Sequence, residues 1–352
     1  MKSFFYHFIN EDQKNFPAKV LKGLLWVLSL CYVGTARIIF WLYQNNLLRK
    51  NHLPRPVISI GNLTVGGTGK TPLTGFLAAH LKEKGLEPVI LIRGYMAENG
   101  ISDEVELYRE ILPEVRIVQG RNRFASGTKA LSGHCPIDAF ILDDGFQHWS
   151  IDRDLEIVVI DTTNPFGNGF CLPRGILREP LSALKRADII VLTKTDLAQE
   201  GLRQIYTTVK KNNYHAIIVE SIYEPTKLVN LKNRMQDKEI SEIKVLPVVL
   251  FSAIGNPQAF EKTVGTLGVN VQGAVSFLDH HVYTKEDVHG IIERAQAQNI
   301  KTLITTQKDA VKLKDLLVLV PQDVDIFALA VSFKIVKGEK EFEERIHIAL
   351  SR

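Results

Sequence analysis

A strand-like apolar run that ends in a glycine-rich turn and Gly-Lys-Thr leaves this chain little freedom in what it can become. Val57-Ile58-Ser59-Ile60 leads into Gly61-Asn62-Leu63-Thr64-Val65-Gly66-Gly67-Thr68-Gly69-Lys70-Thr71. Behind it, Leu73, Phe76, Leu77, His80 and Leu81 follow helical spacing. Strand, glycine loop and helix in that order make a cradle for nucleotide phosphates. Glycines let backbone N–H groups converge on phosphate oxygens, and the helix N-terminus adds the positive end of its dipole. Lys70 would reach the outer phosphates, and the Thr71 hydroxyl would ligate Mg²⁺. The usual spacing asks for glycine at position 64, where this chain has Thr64.

At 352 residues the chain can hold two domains with full cores. With 45% hydrophobic and 23% charged residues it is globular rather than disordered. The net charge of +4 is unevenly spread. Lys2, Lys14, Lys19, Lys22, Arg37, Arg49, Lys50 and Arg55 face only Glu11 and Asp12 in the first 55 residues, so the body is slightly acidic. That distribution speaks against a nucleic-acid groove on the body. Cys31, Cys135 and Cys171 have neither disulfide-framework nor zinc-site spacing, which fits a reducing compartment.

The basic N-terminus flanks an apolar stretch, residues 24–36 and 38–43, interrupted only by Arg37. About 20 such residues suffice to cross a hydrocarbon core. Trp26, Trp41 and Tyr43 near its ends suit the interface. A helix lying in the membrane and held by basic residues to anionic lipid explains the pattern as well as a full span does. Gly34-Thr35-Ala36 resembles a signal-peptide cleavage site, but the downstream nucleotide motif needs a compartment with ATP or GTP.

From residue 56 onward, β-rich runs alternate with helical patterns. Strands are expected at 57–60, 89–93, 139–142, 157–161, 189–193 and 216–220, with helices at 72–84, 123–132 and 202–212 between them. After a charged stretch the alternation resumes at 248–252, 259–267, 285–298, 302–305 and 326–331. The expected fold is therefore α/β: a P-loop-type, mostly parallel sheet with helices on both faces, plus a smaller C-terminal α/β domain and an N-terminal membrane-associated helix. The division reads as 1–50, 51–225 and 226–352.

Several polar clusters sit where strands end, which is where open parallel sheets gather their sites. Asp143-Asp144-Gly145-Phe146-Gln147-His148 follows an apolar run and suits the acidic half of a nucleotide site. Arg93-Gly94-Tyr95 follows another, and Arg93 has the fork to clamp phosphate. Ser102-Asp103-Glu104 opens a helix, where acidic residues are expected simply as cap and first-turn charges. Asp279-His280-His281 offers an imidazole beside a carboxylate, suited to proton relay. Thr193-Lys194-Thr195-Asp196 matches the guanine-reading element of GTPases, so a membrane-tethered P-loop GTPase or ATPase is the competing reading.

Taken in order, these pieces resemble the tetraacyldisaccharide 4′-kinases of lipid A biosynthesis across nearly the whole chain. The resemblance rests on the phosphate loop with its Thr64, on Arg93-Gly94-Tyr95, Asp103-Glu104 and Asp143 to His148. It continues through Phe166-Gly167-Asn168-Gly169, Leu172-Pro173-Arg174-Gly175, Arg178-Glu179 and Thr306-Gln307-Lys308-Asp309-Ala310. It implies a kinase using ATP and Mg²⁺ at the cytoplasmic face of the bacterial inner membrane, acting on an acylated glucosamine disaccharide 1-phosphate. Membrane lipid would be met through the N-terminal helix, with no nucleic acid and no obligate protein partner. The resemblance gives Asp103 the hydroxyl proton and His280 the role of its partner from the smaller domain, so that the two lie on different units. Glu104 and Tyr95 would lie nearby. Asp143, Asp144 and Glu179 would serve Mg²⁺ and the phosphates, with Arg178 offsetting charge on the transferred group. Thr64, Gly66, Gly67, Thr68, Gly69, Lys70, Thr71 and Arg93 complete the nucleotide set. Whether His280 or His281 faces Asp103 is left open, as is which of Asp143 and Asp144 meets the metal.

Overall fold

Runs of valine, isoleucine and leucine without polar alternation suit strands covered on both faces, and such strands form the centre of the molecule. The computed structural model describes residues 16–94, 102–133, 135–244 and 246–351, without the side chains of Phe16 and Pro17. The chain divides into two compact units. The first takes Met1–Gly94, Leu112–Ile222 and Ile335–Arg352; the second takes Tyr95–Ile111 and Tyr223–Lys334.

In the first unit, β1 (Val57–Asn62), β2 (Pro88–Ile92), β3 (Arg116–Gln119), β4 (Ala139–Asp143), β5 (Leu155–Asp161), β6 (Ile189–Thr193) and the start of β7 (Ile217–Asn230) form a parallel sheet. Its order is β3-β2-β4-β1-β5-β6-β7. The chain leaves β1 toward one side for β2 and β3, then returns across it to β5. The ends of β1 and β4 therefore flank the point where the winding reverses, the usual ligand crevice of such sheets. Residues of β1, β2, β4, β5 and β6 are buried throughout.

Two close approaches bring the loops at that crevice together. The pairing of Ile60 with Asp143 sets the first carboxylate beside the strand that feeds the glycine loop. The Gly145 N–H then donates to the Ile60 carbonyl at 2.9 Å. Gly61 has no room for a side chain, since a Cβ there would lie 2.5 Å from both the Cβ and the backbone nitrogen of Phe146.

Helix α1 (Phe16–Gln44) is apolar on nearly every face, yet it seats only a narrow stripe on the body. Ala18, Leu25 and Ser29 are buried and Val33 and Phe40 half-buried, close to helical spacing. The Ser29 hydroxyl donates to the Cys171 carbonyl at 2.9 Å, and Val33 packs on the cluster around Leu184 and Ile205. Val20, Leu24, Trp26, Leu28, Leu30, Ile38 and Trp41 remain exposed. The stretch Ala18–Gln44 is long and apolar enough to cross a membrane.

The second unit carries β8 (Pro247–Ser252), β9 (Asn270–Ser276), β10 (Thr302–Thr306) and most of β11 (Asp325–Lys337), all parallel, in the order β11-β10-β8-β9. Its core gathers Phe251, Tyr283, Ile291, Leu303 and Ile326 on one side and Leu250, Phe260, Ile304 and Phe327 on the other. β7 and β11 each begin in one unit and end in the other.

Two features depart from the linear reading of the sequence. The amphipathic helix Asp103–Ile111 buries Val105, Leu107 and Tyr108 and packs on the helical turns Gln307–Ala310 and Val311–Leu319, so it belongs to the second unit. Asp103 and His280 are thus carried by the same unit, and the expectation of separate units is corrected. The C-terminal helix Glu339–Leu350 returns to the first unit, where the Phe342 and Phe76 rings lie 6.3 Å apart.

Replacing Gly61 with alanine forces backbone against backbone. We expect Gly61→Ala to cost about 1–3 kcal/mol, the range for overpacking a tight core. Urea unfolding measures this, and a wild-type midpoint would contradict the packing described.

Candidate active site

The phosphate loop is shaped by its own side chains as much as by its glycines. Asn62, fully buried at the end of β1, donates from Nδ2 to the Thr64 carbonyl and to the Thr68 hydroxyl, both at 2.8 Å. Thr64 occupies the position where the common pattern has glycine, and its backbone pairs with Leu177. The Val65 N–H donates to the Ile176 carbonyl at 2.8 Å, closing the loop against the segment that precedes Arg178. Gly66 and Gly69 adopt φ values of 117° and 94°. At Gly69 the chain turns left-handed just before the helix Lys70–Glu83 begins. Lys70 and Thr71 occupy the first turn of that helix, where the positive end of the helix dipole favours anions.

Three cations converge on Asp144. Lys70 Nζ lies 3.5 Å from Oδ1, Arg178 Nη1 donates to both carboxylate oxygens at 2.9 Å, and Arg123 Nη1 donates to the Asp144 carbonyl at 3.1 Å. Burial pushes the Asp144 carboxyl upward, but Lys70, Arg178 and Arg123 outweigh it and hold the group well below the usual carboxylate range. Asp144 sits at φ 50°, a left-handed conformation that aspartate tolerates. Asp143 is buried; its Oδ1 accepts from the Asp144 N–H at 2.9 Å and lies 3.4 Å from the Thr74 hydroxyl.

Glu179, also buried, is held by a two-point contact from Arg186 at 2.8 Å and by Gln147 Nε2 at 3.1 Å. Asp144 and Glu179 thus carry cations of their own. Among the described residues no cluster of three or more His, Cys, Asp or Glu could cage a metal ion. The Asp143 carboxylate and the Thr71 hydroxyl are hard oxygen donors of the kind Mg²⁺ takes, one or two from protein with phosphate and water in the remaining positions.

Arg123 is nearly fully buried, and burial lowers its pKa while Asp144 and Asp143 oppose the shift. Arg93 is exposed and near enough to act on both Arg123 and His148. Burial, reinforced by Arg123, Arg153 and Arg93, lowers His148 to about 4. Tyr95 lies outside the described residues.

In the second unit, Asp103 and Glu104 open the helix Asp103–Ile111. His280 Nδ1 lies 4.0 Å from Asp103 Oδ2, and its Nε2 lies 3.8 Å from Asp279 Oδ2. The left-handed backbone at His280, φ 61°, lets its N–H donate to Asp279 Oδ1 at 3.1 Å. Lys308 donates to the same oxygen at 3.1 Å. Burial lowers the His280 pKa and Lys308 and Lys312 add to that, while Asp279 and Asp103 work against it. The imidazole is therefore neutral at neutral pH. Lys312 Nζ, 4.0 Å from Asp103 Oδ2, is fixed by the fully buried Asp309 at 3.1 Å. His281 is committed elsewhere: it bonds Asp287 at 2.8 Å and stacks on Phe277 with centroids 4.8 Å apart. Of the two histidines, His280 faces Asp103.

The guanine-reading element is used differently. Lys194 is buried against Asp161, and the Thr162 hydroxyl is within 2.8 Å of the carbonyls of Thr193 and Lys194. These contacts tie β5 to β6 and commit Lys194 to the protein rather than to a base. Sequence reasoning passes over Asn62, Arg123, Arg186 and Lys312. Only Arg123 carries a local signal, an Asn-Arg pair opening a helix after a strand.

The chain matches one family of known proteins over nearly its whole length. Residues 21–351 match the family model described as tetraacyldisaccharide-1-P 4′-kinase. A tetraacyldisaccharide 4′-kinase of Halothermothrix orenii is 32% identical and aligns over 99% of this chain and 97% of its own length. A probable mitochondrial tetraacyldisaccharide 4′-kinase of Arabidopsis thaliana is 35% identical over 84% of this chain and 82% of its own. The crystal structure of LpxK from Aquifex aeolicus in complex with ATP superposes with a TM-score of 0.71 at 29% identity, covering 94% of this chain and 99% of that one.

The depressed His148 gives a pH test. An unfolded histidine binds its proton below about 6.5, whereas the folded one waits until about 4. Between those values the unfolded chain holds more protons, so stability falls as pH drops through that window. We expect His148→Gln to flatten this slope in urea unfolding measured at pH 7, 6 and 5. An unchanged slope would show that His148 ionises freely in the fold.

Proposed function

The chain belongs to the tetraacyldisaccharide-1-P 4′-kinase family and phosphorylates the 4′-hydroxyl of a tetraacyldisaccharide 1-phosphate, and we propose that its two units divide that work between donor and acceptor. ATP is the donor, the nucleotide held by the Aquifex aeolicus relative in its crystal structure. The loop from Thr64 through Gly66, Gly67, Thr68 and Gly69 wraps the phosphates with backbone N–H groups. Lys70, Arg178 and Arg123 offset their charge. The observation that most supports this reading is the convergence of Lys70 and Arg178 on one carboxylate at the mouth of the loop. Phosphate oxygens offer those cations the same kind of partner.

Thr71 and Asp143 are the groups we assign to Mg²⁺, which when bound would offset charge on the outer phosphates. Asp144 orders Lys70 and Arg178, and Glu179 is held through Arg186. On the acceptor side, Asp103 takes the hydroxyl proton as the sugar oxygen bonds to the γ-phosphorus and the bond to the bridging oxygen of ADP breaks. His280, neutral and 4.0 Å away, orients that carboxylate and can receive the proton in turn. Little covalent work falls to the protein, so positioning and charge compensation supply most of the acceleration.

Helix α1 supports a location at the membrane, which we place on the cytoplasmic face of the inner membrane, where ATP is available. Its seated stripe, from Leu25 through Ser29 to Phe40, argues for a helix lying against the body with its exposed face in lipid.

Two substitutions separate the roles. Asp103→Ala should leave ATP affinity intact while lowering kcat by roughly 10²–10⁴-fold, the span for a positioned general base. Lys70→Ala should weaken nucleotide binding and turnover together. Calorimetric ATP titration alongside steady-state kinetics reads both. Wild-type turnover in Asp103→Ala would remove that residue from the chemistry.

A further inference from the structure

Arg186 joins the N-terminal helix to the phosphate loop through an unbroken set of contacts. It ends the helical turn Leu181–Arg186, and its guanidinium lies over two rings, 4.7 Å from the centroid of Phe40 on α1 and 4.1 Å from that of Phe146. Phe40 also meets Trp149, edge to face with ring centroids 5.4 Å apart. The fork of Arg186 grips both oxygens of Glu179 at 2.8 Å. Glu179 Oε1 also accepts from Gln147 Nε2, which lies 3.0 Å from the Asn62 carbonyl. Asn62 then fastens Thr64 and Thr68 of the loop.

Each link has a chemical reason. A flat guanidinium can stack on two rings and still offer parallel N–H groups to a carboxylate, which a lysine ammonium cannot do. Glu179 is buried, so its charge needs this partner held in one orientation. Phe40 is one of the few α1 side chains turned toward the body, whereas the residues suited to lipid point away from it. Anchoring alone gives no reason for that inward contact.

We propose that Arg186 is a positioning residue and that α1 is a working part of the nucleotide site as well as an anchor. Seating Phe40 on Arg186 fixes Glu179, and through Gln147 and Asn62 it fixes the loop that holds the phosphates. The inference rests on the phosphoryl-transfer reading above.

The test compares full-length wild type, Phe40→Ala, Arg186→Met, Arg186→Lys and the Phe40→Ala/Arg186→Met double variant, with acceptor supplied in mixed micelles. Phe40→Ala leaves the lipid-facing residues untouched, so it should sediment with anionic vesicles as wild type does. Its kcat should nonetheless fall roughly 10- to 100-fold, the scale of a small misplacement of reacting groups. Arg186→Met should fall as far, Arg186→Lys should recover little, and the double variant should be no slower than Arg186→Met alone. Should Arg186→Met not fold, Arg186→Met/Glu179→Gln removes both charges of the pair, and Phe40→Ala carries the test by itself. Wild-type kcat in Phe40→Ala, or losses that simply multiply in the double variant, would reduce α1 to an anchor and overturn the proposal. Absence of bisphosphorylated product from wild type would instead overturn the kinase reading, so the two failures are distinct.

Discussion

Positive charge gathered around Asp144 is the constraint on which the first unit depends. Lys70, Arg178 and Arg123 come from three separate segments, and like charges that close are costly unless an anion lies among them. Asp144 supplies that anion, and its carboxyl is held strongly ionised as a result. The fold brings the segments together by backbone means: the pairing of β1 with β4, the missing side chain at Gly61, and the Val65–Ile176 bond. On the proposed reading, a triphosphate entering such a place meets cations already oriented, so less ordering remains to be done at the moment of transfer.

The second unit solves a different problem with similar means. The role proposed for Asp103 calls for a neighbour able to accept a proton and for cations that keep the surroundings from becoming too negative. His280 stands on a left-handed turn beside Asp279, while Lys308 and Lys312 are pinned by Asp279 and Asp309. The helix carrying Asp103 is held by apolar packing on the turns that carry Lys308 and Lys312. The position of Asp103 rests on how one short amphipathic helix is buried.

Legibility in the sequence follows the range of the interaction. The phosphate loop, the Asp143–His148 turn and most strands can be read because strand burial, glycine conformation and helix spacing are local. β9 escapes because its exposed and half-buried residues alternate along a sheet edge, giving no continuous apolar run. The helix Glu339–Leu350 and the placement of the helix Asp103–Ile111 escape because each is decided by packing on distant segments. Arg186 and Lys312 look like ordinary surface charges in the sequence. Their roles arise only where two rings and a carboxylate, or two carboxylates, meet them in space. The Thr193–Asp196 tetrapeptide shows the converse: a recognisable local pattern whose lysine is spent on Asp161.

The most direct measurement is the position at which labelled phosphate arrives. Wild-type protein given γ-labelled ATP, magnesium and tetraacyldisaccharide 1-phosphate should yield one ADP per lipid product, with the label on the 4′ oxygen. Nucleotide hydrolysis independent of the lipid, or label appearing at any other hydroxyl, would contradict the account.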